Sequence, residues 1–323
     1  MLKRREMMTW MLAAGVGTAV QAQSNYPSKP IRIMVPFGAG GIADLTARAV
    51  GERLAVRLGQ SVVIENRPSA GGIVAGEAVA KAEPDGHTLL LMSNGTAVSA
   101  GLFKSLPFNP RTDFAPISLL GLFDMAVVVP ENSPHKSMVE LMAYAKSNPG
   151  KLNIGTINIG STQNLAAELM RSQANMDAQI VPFNGTPALL NALRGGQIDL
   201  AVEILGPLKP QISAKAVRLL AVMGEQRPAD LPDTPTLKEL PQMGGLVVSS
   251  WNALAAPAKT PKPIIDRLAS EVSQVLADPE LIKRLAGLQV MAKSSSPAQL
   301  GQLLDRDIVR WSEVIKKAGI PLQ

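Results

Sequence analysis

Short apolar runs alternate with longer amphipathic ones from Tyr26 onwards. The run at 30–37 predicts a buried strand, and residues 43–58 repeat apolar side chains at helical spacing until Gly59 ends the pattern. The same rhythm continues with a predicted strand, helix and strand at 61–66, 72–83 and 87–93. This order of elements indicates a mostly parallel sheet with helices packed on its faces.

A second series of alternating runs begins near residue 125 and predicts another α/β unit in tandem with the first. Stretches near 120–124 and 243–250 are typical of crossings between two such units. After Trp251 the sequence predicts a proline-rich turn, further helices and a long final helix that begins at Ser296 and ends at Gly319. The predicted strands of the second unit lie at 125–130, 152–156, 178–183, 198–205 and 217–223.

The composition narrows the class of protein. The chain has 323 residues, a formal net charge of +6 and no cysteine. This length suggests two domains, and a core of this size makes disulfides unnecessary even in an exported protein. The positive charge is spread along the chain, without a basic block interleaved with aromatic residues, which argues against nucleic acid as a partner.

The N-terminus predicts an export signal. A basic cluster at 3–5 precedes an apolar run at 7–20 that is too short to span a bilayer. Small residues predict cleavage after Ala22, so that 1–22 would be a signal peptide and the mature protein would be periplasmic. The arginine pair leaves twin-arginine export open beside the general secretory route, and a buried N-terminal helix is the alternative. No later apolar run is long enough to span a bilayer, so we expect a soluble mature protein.

A glycine-rich turn joins the first predicted strand to the first predicted helix. Gly38, Ala39, Gly40 and Gly41 let the backbone take unusual angles and let a ligand approach closely. The first amides of the following helix have no partners within the helix and can bind an anion. No Gly-Lys-Ser/Thr follows, and the third glycine of a dinucleotide fingerprint falls on Ala43. The turn therefore predicts a carboxylate or phosphate site, with a tight turn that binds no ligand as the alternative.

Three further turns rich in hydrogen-bond donors follow predicted strands, at Ser93–Thr96, Asn158–Gln163 and Phe183–Thr186. Each turn alone is also consistent with an ordinary loop. With the glycine turn they place two loops in each unit, at the strand ends where open α/β sheets bind ligands. This arrangement predicts a cleft between the two units. The predicted ligand-binding residues are Phe37, Gly38, Ala39, Gly40, Gly41, Asp44, Ser93, Asn94, Thr96, Gly160, Ser161, Thr162, Gln163, Asn184, Gly185, Thr186 and Glu203.

Residues suited to catalysis are scarce. Asp44 lies in a first helical turn, where it can cap amides or meet a ligand's ammonium group. Glu203 falls within an apolar strand, so its carboxylate must be paired, or must reach a ligand or a water molecule. His87 and His135 are expected at the surface or in turns, and no cluster has metal-ligand spacing. The sequence thus predicts no cofactor and no metal. It leaves an exported hydrolase or isomerase, with Asp44 or Glu203 as base, as an alternative.

Several long segments resemble one family of receptors. The opening from Tyr26, YPSKPIRIMVPFGAGGIADLTARAVGERLAVRLGQSVVIENRPSAGG, is similar to Bug-type solute-binding proteins, the extracytoplasmic receptors of tripartite tricarboxylate transporters. The similarity covers essentially the whole mature chain, as far as Ile320 and in the family's order. It continues through AKAEPDGHTLLLMS, LPFNPRTDFAPISLL, NPGKLNIGT, RGGQIDL, LAVMGEQRPADLPDTPTLKEL and APAKTPKPIIDRL.

This resemblance implies an α/β fold of the periplasmic binding protein type (type II-like), a two-lobed clamshell with mostly parallel sheets in each lobe. Lobe 1 would hold 23–124 and 247–323, and lobe 2 would hold 125–246. The resemblance implies a small organic carboxylate as ligand, bound in the cleft between a loop at Pro36–Asp44 and a loop at Gly160–Gln163. It also implies a receptor and not an enzyme. We expect a monomer that passes its ligand to the membrane subunits of a transporter.

The chain departs from the family's pattern at places that bear on the ligand. The family often has a Tyr-Lys pair where this chain has Phe183 and Asn184, and an Asp-Asn pair where it has Glu203 and Ile204. The loss of a lysine from the rim of the cleft would disfavour a highly charged ligand. A receptor that signals to a sensor kinase would show the same sequence features and remains an alternative.

Overall fold

The computed structural model describes residues 26–323 of the chain. The predicted signal peptide at 1–22 lies outside these described residues. Within them, no helix is both long and apolar enough to cross a membrane.

The first α/β unit contains the glycine turn. Its first strand pairs in parallel with the two others, and its first helix ends at Gly59, which adopts a left-handed φ of +66°. A 3₁₀ turn at Ala70–Gly72 precedes the second helix. The elements are β1 (Ile31–Val35), α1 (Ile42–Leu58), β2 (Val62–Asn66), α2 (Ile73–Ala80), β3 (Thr88–Ser93) and α3 (Asn94–Leu102).

Helix α3 corrects the sequence-based interpretation, which treated Ser93–Thr96 as a loop. The Ser93 hydroxyl accepts a hydrogen bond from the Gly95 amide, and the Thr96 hydroxyl accepts one from the Ser93 amide. This reciprocal cap starts the helix directly at the end of β3. Local propensity favours a turn at Asn-Gly-Thr, but the cap and the packing of the buried residues Val98 and Leu102 favour a helix.

Two long antiparallel strands connect the halves of the molecule. They are β4 (Phe114–Pro130) and β9 (Ser249–Pro257), which pair with each other along most of their length. The sequence predicted a strand only over 125–130, because shifts of register near Pro116 and Gly121 interrupt the alternation of side chains. It expected a crossing near 243–250, which overlaps the start of β9, but it predicted no strand after Trp251, where small residues give little strand signal.

The second α/β unit repeats the arrangement of the first. Its strand β5 (Leu152–Ile157) pairs in parallel with β6 (Ala178–Phe183) and β7 (Leu200–Ile204). The strands β7 and β8 (Val217–Val222) both pair antiparallel with β4. The helices of this unit are α4 (Met138–Ser147), α5 (Thr162–Gln173), α6 (Thr186–Arg194) and α7 (Leu205–Ser213), followed by 3₁₀ turns at Leu237–Glu239 and Pro241–Met243.

The C-terminal elements pack back on the first unit. The predicted cap of the last helix is confirmed, because the Ser296 hydroxyl accepts a hydrogen bond from the Gln299 amide. Trp311 in the same helix is buried, and its indole N–H donates to the Asn94 side chain at 2.6 Å. The elements are α8 (Lys262–Leu276), α9 (Pro279–Gly287), β10 (Met291–Ala292) and α10 (Pro297–Lys317).

The strands form one mixed sheet in the order β2-β1-β3-β9-β4-β7-β5-β6, with β8 and β10 paired to β4 beside this path. Parallel pairings build the outer part of each half, and the antiparallel strands β4 and β9 lie in the centre. The α/β fold class is therefore confirmed. The strands β1, β5 and β6 end at donor-rich turns and β3 ends directly at the start of α3, so the carboxyl ends of these strands supply the walls of the candidate site.

Candidate functional site

A pocket lies between the glycine turn of the first unit and the helix starts of the second. Its empty volume is about 380 Å³. Hydrogen bonds join its walls, as between the Thr162 and Ser250 hydroxyl groups. The lining residues are Phe37, Gly38, Gly41, Ile42, Ala43, Ser93, Phe123, Ile157, Thr162, Gln163, Gly185, Thr186, Ile204, Ser250 and Asn252.

The residues predicted to bind ligand fall into three groups. Those that line this pocket are Phe37, Gly38, Gly41, Ser93, Thr162, Gln163, Gly185 and Thr186. Those that line only a neighbouring pocket, with an empty volume of about 360 Å³, are Thr96, Gly160 and Ser161. Those that line neither pocket are Ala39, Gly40, Asp44, Asn94, Asn184 and Glu203.

The glycine turn brings backbone amides to the pocket. Gly41 is the N-cap of α1 and has no side chain with which to cap the first amides of the helix. A Cβ atom on Gly38 would lie 2.6 Å from the carbonyl oxygen of Asn184. Only glycine therefore lets this turn approach the segment that precedes α6. The exposed Asn184 contributes its backbone to this contact.

Asp44 supports the turn from behind. Its carboxylate accepts a hydrogen bond from the Gly40 amide at 3.0 Å, and the Arg48 guanidinium lies 2.9 Å from its other oxygen. Burial alone would raise the pKa of Asp44, but the bonds from Arg48 and the Gly40 amide hold this pKa below its usual value. Asp44 therefore fixes the shape of the turn and is not part of the pocket wall.

Hydroxyl groups join the two halves across the pocket. The Thr162 and Ser250 hydroxyl oxygens are 3.1 Å apart, which links the start of α5 to β9. The Ser161 hydroxyl caps α5 by accepting a hydrogen bond from the Asn164 amide. From α3, the Ser99 hydroxyl donates to the Gly160 carbonyl at 3.3 Å. These contacts hold the loop before α5 against the first unit.

Glu203 is completely buried under the pocket, with 0% of its surface exposed. Its Oε1 accepts hydrogen bonds from the Gln163 side-chain amide and the Ile204 backbone amide, both at 2.7 Å. Its Oε2 accepts from the Thr186 hydroxyl at 2.8 Å. Burial raises the pKa of Glu203, while these three donors act in the opposite direction. Glu203 orients two pocket residues, Gln163 and Thr186, and does not line the pocket itself.

Asn252 is a pocket residue that the sequence did not reveal. Its side chain is 1% exposed, and its Nδ2 has no hydrogen-bond partner among the described residues. A buried donor without an acceptor is costly, so this atom points to an acceptor supplied by a ligand. The other lining residues that the sequence did not reveal are Ile42, Ala43, Phe123, Ile157, Ile204 and Ser250.

Two further polar residues form contacts away from the pocket. Asn94 accepts the hydrogen bond from Trp311 and so fastens α3 to α10. His87 lies in the turn at 84–87, which is one of the two expected positions, but it is buried there and not at the surface, because its ring packs edge-on against Tyr26 at 5.0 Å and accepts from the Ser28 amide. Within 26–323 no group of His, Cys, Asp and Glu side chains could hold a metal ion.

Comparison with protein families gives a match over residues 46–320 to the model described as the tripartite tricarboxylate transporter family receptor. The chain belongs to this family. It is therefore a solute-binding receptor of a tripartite transporter, as the sequence predicted, and not an enzyme. Its partners are a small molecule and the membrane components of such a transporter.

Curated relatives support the same assignment. The receptor is 37% identical over 305 residues to a UPF0065 protein of Agrobacterium vitis. The alignment covers 93% of this chain and 87% of that protein. The receptor is also 30% identical over 318 residues to the protein BugT of Bordetella pertussis, and that alignment covers 97% of this chain and 96% of BugT.

Solved structures show the same fold. The periplasmic binding protein BugD is 32% identical with a TM-score of 0.88, over 92% of this receptor and 100% of that chain. MatC from Rhodopseudomonas palustris, solved with bound malate, is 32% identical with a TM-score of 0.85, over 90% and 100%. A second R. palustris protein, solved with adipate, is 30% identical with a TM-score of 0.88, over 92% of this receptor and 99% of that chain. The prediction of a periplasmic-binding-protein fold is confirmed.

Proposed function

We propose that this receptor binds one small organic carboxylate in the pocket between the glycine turn and the start of α6. The observation that carries the proposal is the unpaired, buried Nδ2 of Asn252, a residue that lines the pocket together with the uncapped start of α1. Backbone amides and a side-chain amide together favour a carboxylate group. The similar receptors with malate and adipate bind ligands of this class.

Binding would require the two halves of the molecule to separate and close. We assign 23–124 with 247–323 to lobe 1 and 125–246 to lobe 2, which places Asn252 and the glycine turn in one lobe and Gln163 and Thr186 in the other. The two sides of the pocket already touch, through the Thr162 and Ser250 hydroxyl groups and through Gly38 and the backbone of Asn184. A carboxylate would therefore enter an opened form and stabilise closure by touching both lobes.

The cellular setting follows from the family, whose receptors work outside the cytoplasm. We propose that residues 1–22 direct export and are removed after Ala22. A monomer would then carry its ligand through the periplasm to the membrane subunits of the transporter. The charge at 3–5 before the apolar run at 7–20 supports this processing.

No observation favours catalysis with Asp44 or Glu203 as the base. Both carboxylates are buried, both are engaged by donors of the protein, and neither lines the pocket. A receptor for a sensor kinase would use the same pocket, and the family assignment favours delivery to a transporter.

Thermal unfolding in the presence of a panel of small molecules tests the proposed function. We expect at least one carboxylate to raise the unfolding midpoint by several degrees in a saturable way. Amines, sugars and nucleosides of similar size serve as controls and should leave the midpoint unchanged. A shift caused only by such controls would contradict the proposal.

A further inference from the structure

The pocket proposed to hold the carboxylate, the first pocket, adjoins a second pocket with an empty volume of about 360 Å³. Phe37 and Ser93 line both pockets. Thr162 lines the first pocket, and Ser161, its neighbour in the chain, lines the second. A Cβ atom added to Gly95, on the wall of the second pocket, would lie 3.4 Å from the phenyl ring of Phe37. The two pockets therefore share a wall, along which a ligand held in the first can extend towards the second.

The turn before α5 leaves one acceptor at the second pocket without a donor. Asn158 lines this pocket and is 6% exposed, and its Oδ1 has no hydrogen-bond partner among the described residues. The backbone carbonyl groups of the same turn are engaged. That of Asn158 accepts from the Ser161 amide at 3.0 Å, and that of Ile159 accepts from the Gly71 amide at 2.9 Å. A buried acceptor without a donor is costly, so Oδ1 of Asn158 points to a donor supplied by a ligand.

Two hydroxyl groups on the wall of the second pocket are used elsewhere. A hydroxyl group has only one hydrogen to donate. Ser99 donates it to the carbonyl of Gly160, and Ser161 donates it to the carbonyl of Ile157, both at 3.3 Å. These side chains therefore cannot also donate to Asn158, and its Oδ1 stays available to a ligand.

The second pocket suits an uncharged donor. Among the described residues that line it there is no Asp, Glu, His, Lys or Arg. The wall consists of glycines, of residues with hydroxyl groups and of apolar side chains such as Leu90 and Phe108, with Asn158 as the one side-chain amide. An ammonium group buried there would have no counter-charge, which is far more costly than the burial of a neutral group. A hydroxyl group needs only an acceptor for its hydrogen, and Asn158 offers one.

We propose that the second pocket binds a hydroxyl group of the ligand through Oδ1 of Asn158. The proposal rests on the proposed function, because the carboxylate of the same ligand occupies the first pocket, and it narrows the ligand class to hydroxy acids. Asn158 belongs to the second α/β unit, whereas Gly71 and Ser99, which hold its turn, belong to the first. The hydroxyl group is therefore enclosed by both units, and its hydrogen bond adds to the stability of the closed form.

Calorimetric titration with three families of acids tests the proposal. Butanoate, pentanoate and hexanoate are each compared with the derivative that carries a terminal hydroxyl group and with the derivative that carries a terminal amino group. The series varies the distance between carboxylate and donor, which must match the separation of Asn252 from Asn158. We expect the wild-type protein to bind the hydroxy acid of at least one length about tenfold more tightly than its parent acid, which leaves Oδ1 of Asn158 unpaired. The amino derivative of that length should bind no more tightly than the parent acid.

Two substitutions of Asn158 separate its chemistry from its packing. Asn158→Leu keeps a similar size and removes the acceptor, so the hydroxy acid and its parent should bind about equally. Asn158→Asp keeps an acceptor and adds a negative charge, so the preference should reverse in favour of the amino derivative. A purely structural role of Asn158 would not produce this reversal. Asn191→Leu on the exposed face of α6 is the matched control and should keep the wild-type preference.

Each other result overturns a defined part of the argument. Hydroxy acids that do not bind, or that bind no more tightly than their parent acids, overturn the inference, while the proposed function stands if any carboxylate of the wider panel binds. A hydroxyl preference that persists in Asn158→Leu overturns the role given to Asn158. Tighter binding of the amino derivatives by the wild-type protein overturns the choice of an uncharged group. Failure of every acid, including the wider panel, overturns the proposed function itself. If Asn158→Leu does not fold, the wild-type preference and Asn158→Asp still decide the inference.

Discussion

Asn252 and Glu203 are both buried polar side chains, yet only Glu203 has both of its terminal atoms engaged within the protein. The carboxylate of Glu203 is satisfied by three donors and acts as part of the framework under the pocket. Asn252 lines the pocket, and its Nδ2 has no acceptor among the described residues. A ligand gains most from a donor that the protein itself leaves without an acceptor.

Asn252→Asp should abolish measurable binding of the carboxylate that stabilises the wild-type protein. The substitution keeps the size of the side chain, removes the amide donor and adds a negative charge opposite the ligand. Hydrogen bonds to charged groups contribute about 1.5–3 kcal/mol, so affinity should fall by roughly tenfold or more from the lost donor alone. Calorimetric titration measures the change. Asn191→Asp on the exposed face of α6 adds the same charge away from the pocket and should bind normally.

The two buried carboxylates at the site should affect stability in opposite directions as the pH changes. Burial raises the folded-state pKa of Glu203, so the stability linked to its proton is present at low pH. That stability is lost as the pH rises from the unfolded-state pKa through the raised folded-state pKa. The pKa of Asp44 is lowered in the folded state, so the stability linked to Asp44 is present above its unfolded value and lost on acidification.

Thermal unfolding of Glu203→Gln and Asp44→Asn between pH 4 and pH 8 tests these signs. The stability of the wild-type protein relative to Glu203→Gln should fall as the pH increases. Relative to Asp44→Asn, the stability of the wild-type protein should rise as the pH increases from the acidic end of the range. Differences that do not change with pH, or that change with the opposite sign, would show that these carboxylates titrate as they do in the unfolded chain.

Helix starts and strand ends shape the pocket at the level of secondary structure. The glycine turn connects β1 to α1, and it touches the segment that connects β6 to α6. The close approach depends on Gly38, where a Cβ atom would meet the backbone carbonyl of Asn184. A backbone atom cannot move aside as the end of a flexible side chain can, so the contact sets how closely the two elements approach.

Gly38→Ala should weaken carboxylate binding strongly and change the unfolding midpoint of the ligand-free protein much less. The added methyl group prevents the glycine turn from reaching the start of α6, whereas an opened form tolerates it. Titration and thermal unfolding together separate the two effects. Gly287→Ala is the matched control, because nothing lies within 4 Å of the Cβ atom it adds. Wild-type affinity in Gly38→Ala would show that the contact is not needed for binding.

The elements that the sequence predicted are those marked by local signals in the chain, namely the periodicity of apolar residues and the glycines at turns. The strand-to-helix turns that bring Gly38, Thr162 and Thr186 to the pocket could be placed, since periodicity and glycines mark where a strand ends. Phe123 and Asn252 could not. They lie on the long strands β4 and β9, which reach the pocket only through their antiparallel register, and register depends on tertiary packing. Glu203 was recognised as a buried carboxylate, but its partners on α5 and α6 become visible only in the fold.

The molecule as a whole has its two α/β units connected by the central strands β4 and β9. Contacts across the pocket include the polar one between the Thr162 and Ser250 hydroxyl groups. Polar contacts of this kind can exchange with water at small cost, which suits a receptor that opens and closes. The central strands can act as the hinge while the core of each unit stays intact.

Small-angle X-ray scattering should detect this motion. The ligand-free protein in solution is expected to have a larger radius of gyration than the protein saturated with carboxylate, because the pocket admits a ligand only when opened. Gly38→Ala should remain close to the open value at ligand concentrations that close the wild-type protein. Identical scattering curves with and without a ligand that binds by calorimetry would contradict hinged closure.

A crystal structure of the receptor with a bound carboxylate, obtained with the acid that raises the unfolding midpoint most, tests the central claim most directly. The proposal predicts a carboxylate oxygen within hydrogen-bond distance of Asn252 Nδ2 and of the first backbone amides of α1, with both halves of the molecule in contact with the ligand. A carboxylate bound outside this pocket, or one inside it with Asn252 Nδ2 still unpaired, would contradict the proposal.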